Sequence, residues 1–228
     1  MQKTSSVHRS VFRSLLLSSF LSIFLYLCRA FSSDSARYWF LNWNLFLAWL
    51  PAVFSYLLIR NLRKEKWLSP RSLLYSALWL GFLPNSFYLV TDFIHLSSTG
   101  EVSLLYDAVL FMTFAWNGFF LGFISVYVVH VELMKRLKHV YITALLAVLF
   151  FLSGFAIYLG RFLAWNTWDV LLNPVGILAD LSERIMSPAQ YPSTFSTTGL
   201  FCVTLLTLYY SLYWLITALR RASNLKDL

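Results

Sequence analysis

Apolar residues in this chain fall in long unbroken runs, not at the alternate positions of a strand or along one face of a soluble helix. Six runs approach the ~20 residues a helix needs to cross hydrocarbon. They cover about 14–31, 39–59, 72–92, 105–131, 140–160 and 199–219. A helix satisfies its own backbone in lipid, so runs of this length predict an all-α, polytopic bundle of six spanning helices. Residues 1–13 and 220–228 flank it as basic ends.

The polar breaks between runs alternate in charge. Lys3, Arg9 and Arg13 precede the first run, and Arg60, Arg63, Lys64, Lys66 and Arg71 follow the second. Lys135, Arg136 and Lys138 follow the fourth, and Arg220, Arg221 and Lys226 follow the sixth. Together these are 14 of the 18 cations. Cytoplasmic loops of membrane proteins carry the excess of Lys and Arg, so both termini are expected in the cytoplasm. Seven of the ten acids fall on the other side: Asp34, Asp92, Glu101, Asp107, Asp169, Asp180 and Glu183.

Composition agrees. The chain is 59% hydrophobic and only 12% charged, against about 25% charged in soluble domains. The net charge of +8 lies in short clusters between apolar runs, which fits topology and excludes a nucleic-acid partner. The first run, with its basic start, also has the outline of a signal peptide, but Ser33-Asp34-Ser35-Ala36 is a poor cleavage site, so an uncleaved anchor is expected. Cys28 and Cys202 read as small buried hydrophobes, with a disulfide near the outer rim as the sharper alternative.

The loop after the fifth run is the longest. Asn173-Pro174 has the form of an N-cap followed by proline at the first helical position. Val175, Leu178, Leu181 and Ile185 then recur at three- and four-residue steps, which predicts a short helix along the outer interface; a plain surface loop is the alternative. Tyr191 to Gly199 is polar and turn-rich, so a mobile loop is expected there.

Polar residues inside the runs form stripes. Gly81, Asn85, Tyr88, Asp92 and His95 step by 4, 3, 4 and 3, one face of a helix if it continues that far. Pro84 removes an amide donor and crowds the carbonyl of Leu80, which predicts a kink. In the fourth run Asp107, Phe111, Phe114, Gly118, Gly122 and Ser125 share a face, and Gly118 to Gly122 is a GxxxG step that admits a close neighbour. Asn117 is offset and points to a different neighbour. Arg161, Asn166 and Asp169 close the fifth run, and Asn42 or Asn44 opens the second. Asn44, Asn85, Tyr88, Asp92, His95, Asp107, Arg161, Asn166 and Asp169 are therefore the candidate cluster on the outer side. It is either a convergent pocket, open to a small ligand or ion, or a set of side chains solvated separately among headgroups.

These motifs resemble a bacterial membrane-protein family called domain of unknown function 1361. The resemblance covers about residues 40 to 218. It rests on Asn44-Leu45-Phe46-Leu47-Ala48-Trp49-Leu50-Pro51, Leu83-Pro84-Asn85 with Tyr88, Thr91-Asp92 and His95-Leu96, Tyr106-Asp107, and Gly160-Arg161-Phe162 with Trp165-Asn166 and Trp168-Asp169. The family usually has Ala-Pro where Ser86-Phe87 stands here, and often an arginine in place of Ala164. The resemblance implies a multi-pass protein of the bacterial cytoplasmic membrane. Its name carries no activity.

Three functional classes remain. A non-catalytic scaffold would use the polar groups structurally, with Asp107 or Asp92 paired to Arg161. A transport or ion pathway would use the proline-interrupted helix and Asn85. A metal-assisted enzyme would take Asp92, His95 and Asp107 as ligands, although Arg161 nearby disfavours a cation. No cofactor is required by the sequence, and a divalent metal is the one candidate. Nucleophile-elbow, phosphate-loop and dinucleotide motifs are absent. His130 and Glu132, beside Lys135 and Arg136, are expected on a solvated face. His8 and His139 sit in basic segments and point to nothing further.

Overall fold

The computed structural model describes residues 2–226. Residues 1, 227 and 228, and the side chains of residues 2–8, 171 and 223–226, lie outside the described residues; the tips of the expected basic ends fall there. Among the described residues the chain is helical throughout, without strands. The elements are α1 (Gln2–Ser33), α2 (Phe40–Asn61), α3 (Pro70–Tyr88), a 3-10 helix (Leu89–His95), α4 (Leu104–Leu133) and α5 (His139–Phe162). Then come α6 (Asp169–Leu172), α7 (Pro174–Met186), a 3-10 turn (Pro188–Gln190) and α8 (Pro192–Lys226). Six of these stretches are long and apolar enough to cross a membrane: Arg9–Ser33, Phe40–Asn61, Pro70–His95, Leu104–Leu133, His139–Phe162 and Pro192–Ala222.

Local chemistry sets several boundaries. The Ser69 hydroxyl accepts from the Ser72 amide and Pro70 takes the first helical position of α3. Asn173 caps α7 in the same way, accepting from the Gly176 amide ahead of Pro174. At the end of α5 the Trp165 amide reaches back to the Leu159 carbonyl, with Ala164 left-handed at φ 57°. This is the reversal that usually ends on glycine.

Two expectations are corrected. The stretch from Tyr191 to Gly199 is not a loop: α8 begins at Pro192. Its hydroxyls turn back on their own helix, as Thr198 Oγ1 does on the Thr194 carbonyl at 2.6 Å, so polarity here does not oppose helix formation. The stripe of the third run is also not one α-helix. It tightens to a 3-10 helix at Leu89.

The chain forms two compact units, Met1–Val128 and Val129–Leu228. In the first, α2 and α3 pack side by side, and the Ser86 hydroxyl donates to the Ala48 carbonyl at 3.0 Å. The expected close approach at the GxxxG step is present. A β-carbon added at Gly118 would collide with the Ser86 carbonyl oxygen, and one at Gly122 would stand 2.6 Å from the Phe87 ring. Lipid is as apolar as leucine, so helices here gain from such tight packing and from polar contacts more than from hiding hydrocarbon.

In the second unit α5 and α8 pack together, with Gly154 against the Thr198 carbonyl and Phe150 against the Tyr209 ring, 5.5 Å between centroids. His130 is buried here, 2% exposed, rather than solvated. Its Nδ1 lies 2.7 Å from the Tyr209 hydroxyl and its ring stacks on Tyr213. Glu132 is also buried and is paired with Lys135. Tyrosines of α8 shelter what local charge pattern alone would leave in solvent. Cys28 and Cys202 are both free and half-buried.

Candidate functional site

The 3-10 segment places Asp92 and His95 three residues apart, so their side chains eclipse along its axis. Their surroundings still differ. Asp92 is 1% exposed, and its Oδ2 accepts from Asn44 Nδ2 at 2.9 Å. His95 is exposed, with its ring edge against Phe40 at 5.2 Å. Asn44 therefore joins Asp92 across α2, as the candidate set anticipates. Asn42 lies in the same turn, and its Oδ1 is buried with no hydrogen-bond partner. Asn85 and Tyr88 are half-buried on α3. Asn85 donates to the Phe82 carbonyl at 3.1 Å, and the Tyr88 carbonyl accepts from Thr91 Oγ1.

Asp107 is completely buried, and its partner lies outside the candidate set. It meets Arg29 of α1, whose Nε lies 3.0 Å from Oδ1. The guanidinium is itself withdrawn from solvent. It also donates to Glu101 at 3.0 Å and to Ser33 at 3.2 Å, and it stacks over the Tyr38 ring at 4.4 Å. An arginine fork suits several planar acceptors at once. Burial pushes the Tyr38 phenol above its ordinary value, reinforced by the negative charge of Asp107. Its hydroxyl is buried without a partner.

A second polar set lies further along α4. Asn117 Nδ2 donates to Ser22 Oγ at 2.8 Å and to the Ser18 and Thr113 carbonyls, while its Oδ1 accepts from Ser19. Trp49 of α2 donates in turn to Ser19 at 3.1 Å. The offset of Asn117 from the glycine face is thus explained: it bonds to α1.

Arg161, Asn166 and Asp169 belong to the second unit. Arg161 is half-buried near the end of α5. Asp169 Oδ2 accepts from the Asn166 backbone amide at 2.7 Å, closing the turn that starts α6. Close by, Trp165 Nε1 donates to Asp180 at 2.7 Å, and Asp180 lies 3.5 Å from Arg184. The Glu183 carboxylate accepts from Tyr191 and raises that phenol.

Chemically, the buried charges Arg29 and Asp107 of the first unit satisfy each other, while Asn42 Oδ1 and the Tyr38 hydroxyl do not find a partner. Both oxygens of Asp107 face the Arg29 guanidinium. No group of three or more His, Cys, Asp or Glu side chains suited to a metal ion occurs among the described residues. Arg29, Glu101, Tyr38, Ser19 and Ser22 are the participants that motif reading missed. A lone arginine inside an apolar run was the available signal, since such a charge nearly always has a partner. Ser14, Ser18 and Ser22, four apart, mark a small polar seam on the same helix.

No curated protein and no solved structure matches the chain. A family model described as Protein of unknown function (DUF1361) matches residues 43–214, which include Asn44, Asp92, Asp107, Asn117 and Arg161. With six membrane-length helices and a match over most of its length, the chain is a multi-pass membrane protein belonging to that family.

Proposed function

We propose that this protein is a non-catalytic scaffold of the bacterial inner membrane, with both termini in the cytoplasm and its acidic, polar ends outward. The orientation rests on the crowding of Lys and Arg into alternate loops. The scaffold reading rests on one observation above others: the buried Asp107 carboxylate is held by the buried Arg29 guanidinium. A carboxylate kept for proton transfer, metal binding or transport needs an open lone pair or a path to water. Asp107 is completely buried, both of its oxygens face Arg29, and its bonds tie α1 to α4. Buried pairs of this kind add little net stability but make one helix arrangement the only satisfied one.

The test compares Asp107→Asn with a double variant that also carries Arg29→Gln. For a structural pair the single change strands a buried charge and lowers the melting temperature of the detergent-solubilised protein by several degrees. Neutralising both partners should recover at least half of that loss. An unshifted single variant, or a double variant no better than the single, overturns the scaffold reading. Orientation is checked separately by impermeant labelling of cysteines placed at Lys64 and Glu101. Reaction from outside at position 64 and not at 101 inverts it.

A further inference from the structure

Helix α7 withdraws two of its three charged residues, Asp180 and Arg184, and exposes Val175, Leu178, Ile185 and Met186; Glu183 is exposed and accepts from the Tyr191 hydroxyl. Arg184 is 7% exposed, bonded to the Asp180 carbonyl at 2.7 Å and laid over the Tyr191 ring at 4.8 Å. Asp180, one turn earlier, is half-buried and receives Trp165 Nε1. On the opposite arc Val175 is 75% exposed and Leu178 62%, and Ile185 and Met186 continue that face. Leu172, just before the helix, extends it.

A helix bathed in water lies the other way round, with charges out and Val and Leu in, because each buried apolar side chain is worth about 1.5–3 kcal/mol. Here both preferences are reversed, and both are satisfied if the surroundings of the outward face are hydrocarbon. The inward charges support this, since Arg184 and Asp180 neutralise each other beneath the helix and present no bare ion to lipid. Other helices of the same unit also leave apolar side chains exposed: α5 and α8 are of membrane length and expose Val148, Leu152, Leu200 and Val203. Only five residues separate Met186 from Pro192 of α8.

We infer that α7 is a membrane-embedded helix whose Val175–Leu178–Ile185 face contacts lipid chains at the acyl–headgroup boundary, with the Trp165–Asp180–Arg184 cluster fastening its reverse side to the protein. The inference holds whether or not the Arg29–Asp107 pair is purely structural, so its test is independent of that reading.

The experiment places a nitroxide at Val175→Cys or Leu178→Cys in the full chain, with Cys28→Ser and Cys202→Ser as background. The protein is reconstituted in phosphatidylcholine–phosphatidylglycerol vesicles. Lys138→Cys, in an exposed loop position, is the aqueous reference. At 175 and 178 collisions with oxygen should exceed those with a water-soluble nickel complex several-fold, and the order should reverse at 138. Nickel-dominated relaxation at 175 and 178 would mean water. Protection from both agents would mean a covering protein surface. Either result overturns the inference. Leu178→Asp in the unaltered cysteine background is the second arm: it should lower the melting temperature in vesicles, and no shift counts against lipid contact.

Discussion

Arg29 Nε and Asp107 Oδ1 lie 3.0 Å apart with both side chains withdrawn from solvent, linking α1 to α4. Glu101, the other acid on the same guanidinium, is one-third exposed. The two carboxylates should therefore respond differently to neutralisation. Removing one member of a buried pair costs about 3–5 kcal/mol, whereas an exposed ion pair is worth about 0–1 kcal/mol. Asp107→Asn should lower the melting temperature far more than Glu101→Gln, and added salt should erode only the Glu101 contribution. Thermal melts of the two variants at low and high ionic strength check this.

Gly118 should tolerate no side chain. An added β-carbon meets the Ser86 carbonyl, which belongs to the backbone of α3 and cannot rotate away. Gly118→Ala is expected to cost about 1–3 kcal/mol through overpacking. Gly199→Ala, with nothing within 4 Å of its added carbon, should cost nothing and gain slightly in helix propensity. Melting temperatures of the two alanine variants, measured side by side, separate packing from propensity.

Ala164 holds a left-handed backbone at φ 57°. That conformation costs an L-residue roughly 1–2 kcal/mol and costs glycine almost nothing. Ala164→Gly should offset part of this with added chain entropy in the unfolded state, leaving a net gain of at most about 1 kcal/mol. A higher melting temperature is the expected result.

Tyr38 offers a pH test. Burial raises its phenol above the ordinary value near 10, so the folded state holds the neutral form more tightly than the unfolded state does. That contribution is intact below pH 10 and is lost as pH rises through the folded value. Tyr38→Phe removes both the titrating group and an unpartnered buried hydroxyl while keeping the ring beneath Arg29. The variant should match or exceed the parent at neutral pH and hold its melting temperature further into alkali. Tyr38→Ala also loses the ring contact with Phe111 at 4.9 Å and should be destabilised by about 3–5 kcal/mol.

The spans were readable because hydropathy depends on composition over ~20 residues, and no partner is needed to decide it. The start of α7 was readable for a similar reason, since Asn173 and Pro174 act within one turn. The glycine step of α4 pointed correctly to a close neighbour. What escaped were relationships over distance. Arg29 looks like a snorkelling arginine until Asp107, 78 residues away, is placed beside it. His130 looks solvated until Tyr209, 79 residues away, covers it. The Tyr191–Gly199 stretch misled because its Ser196 and Thr198 hydroxyls bond carbonyls of their own helix, where the same side chains could equally have closed a turn.

The spacing of these partners has a consequence for how the protein is made. Asn117 bonds to serines of α1 that were synthesised 95 and more residues earlier, and Asp107 reaches Arg29 across a similar interval. Helix α1 thus leaves the ribosome well before its polar partners on α4 are made. Until α4 arrives, Arg29 lacks its carboxylates and Ser22 lacks Asn117, although Ser19 can already meet Trp49 of α2. The nascent α1 should therefore wait beside the insertion machinery or at the membrane rim before entering the bundle. Photo-crosslinking of stalled chains would show this as a switch of α1 from translocon to protein neighbours once residues 107–117 emerge. If α1 instead settled among lipids at every length, delayed entry would be wrong.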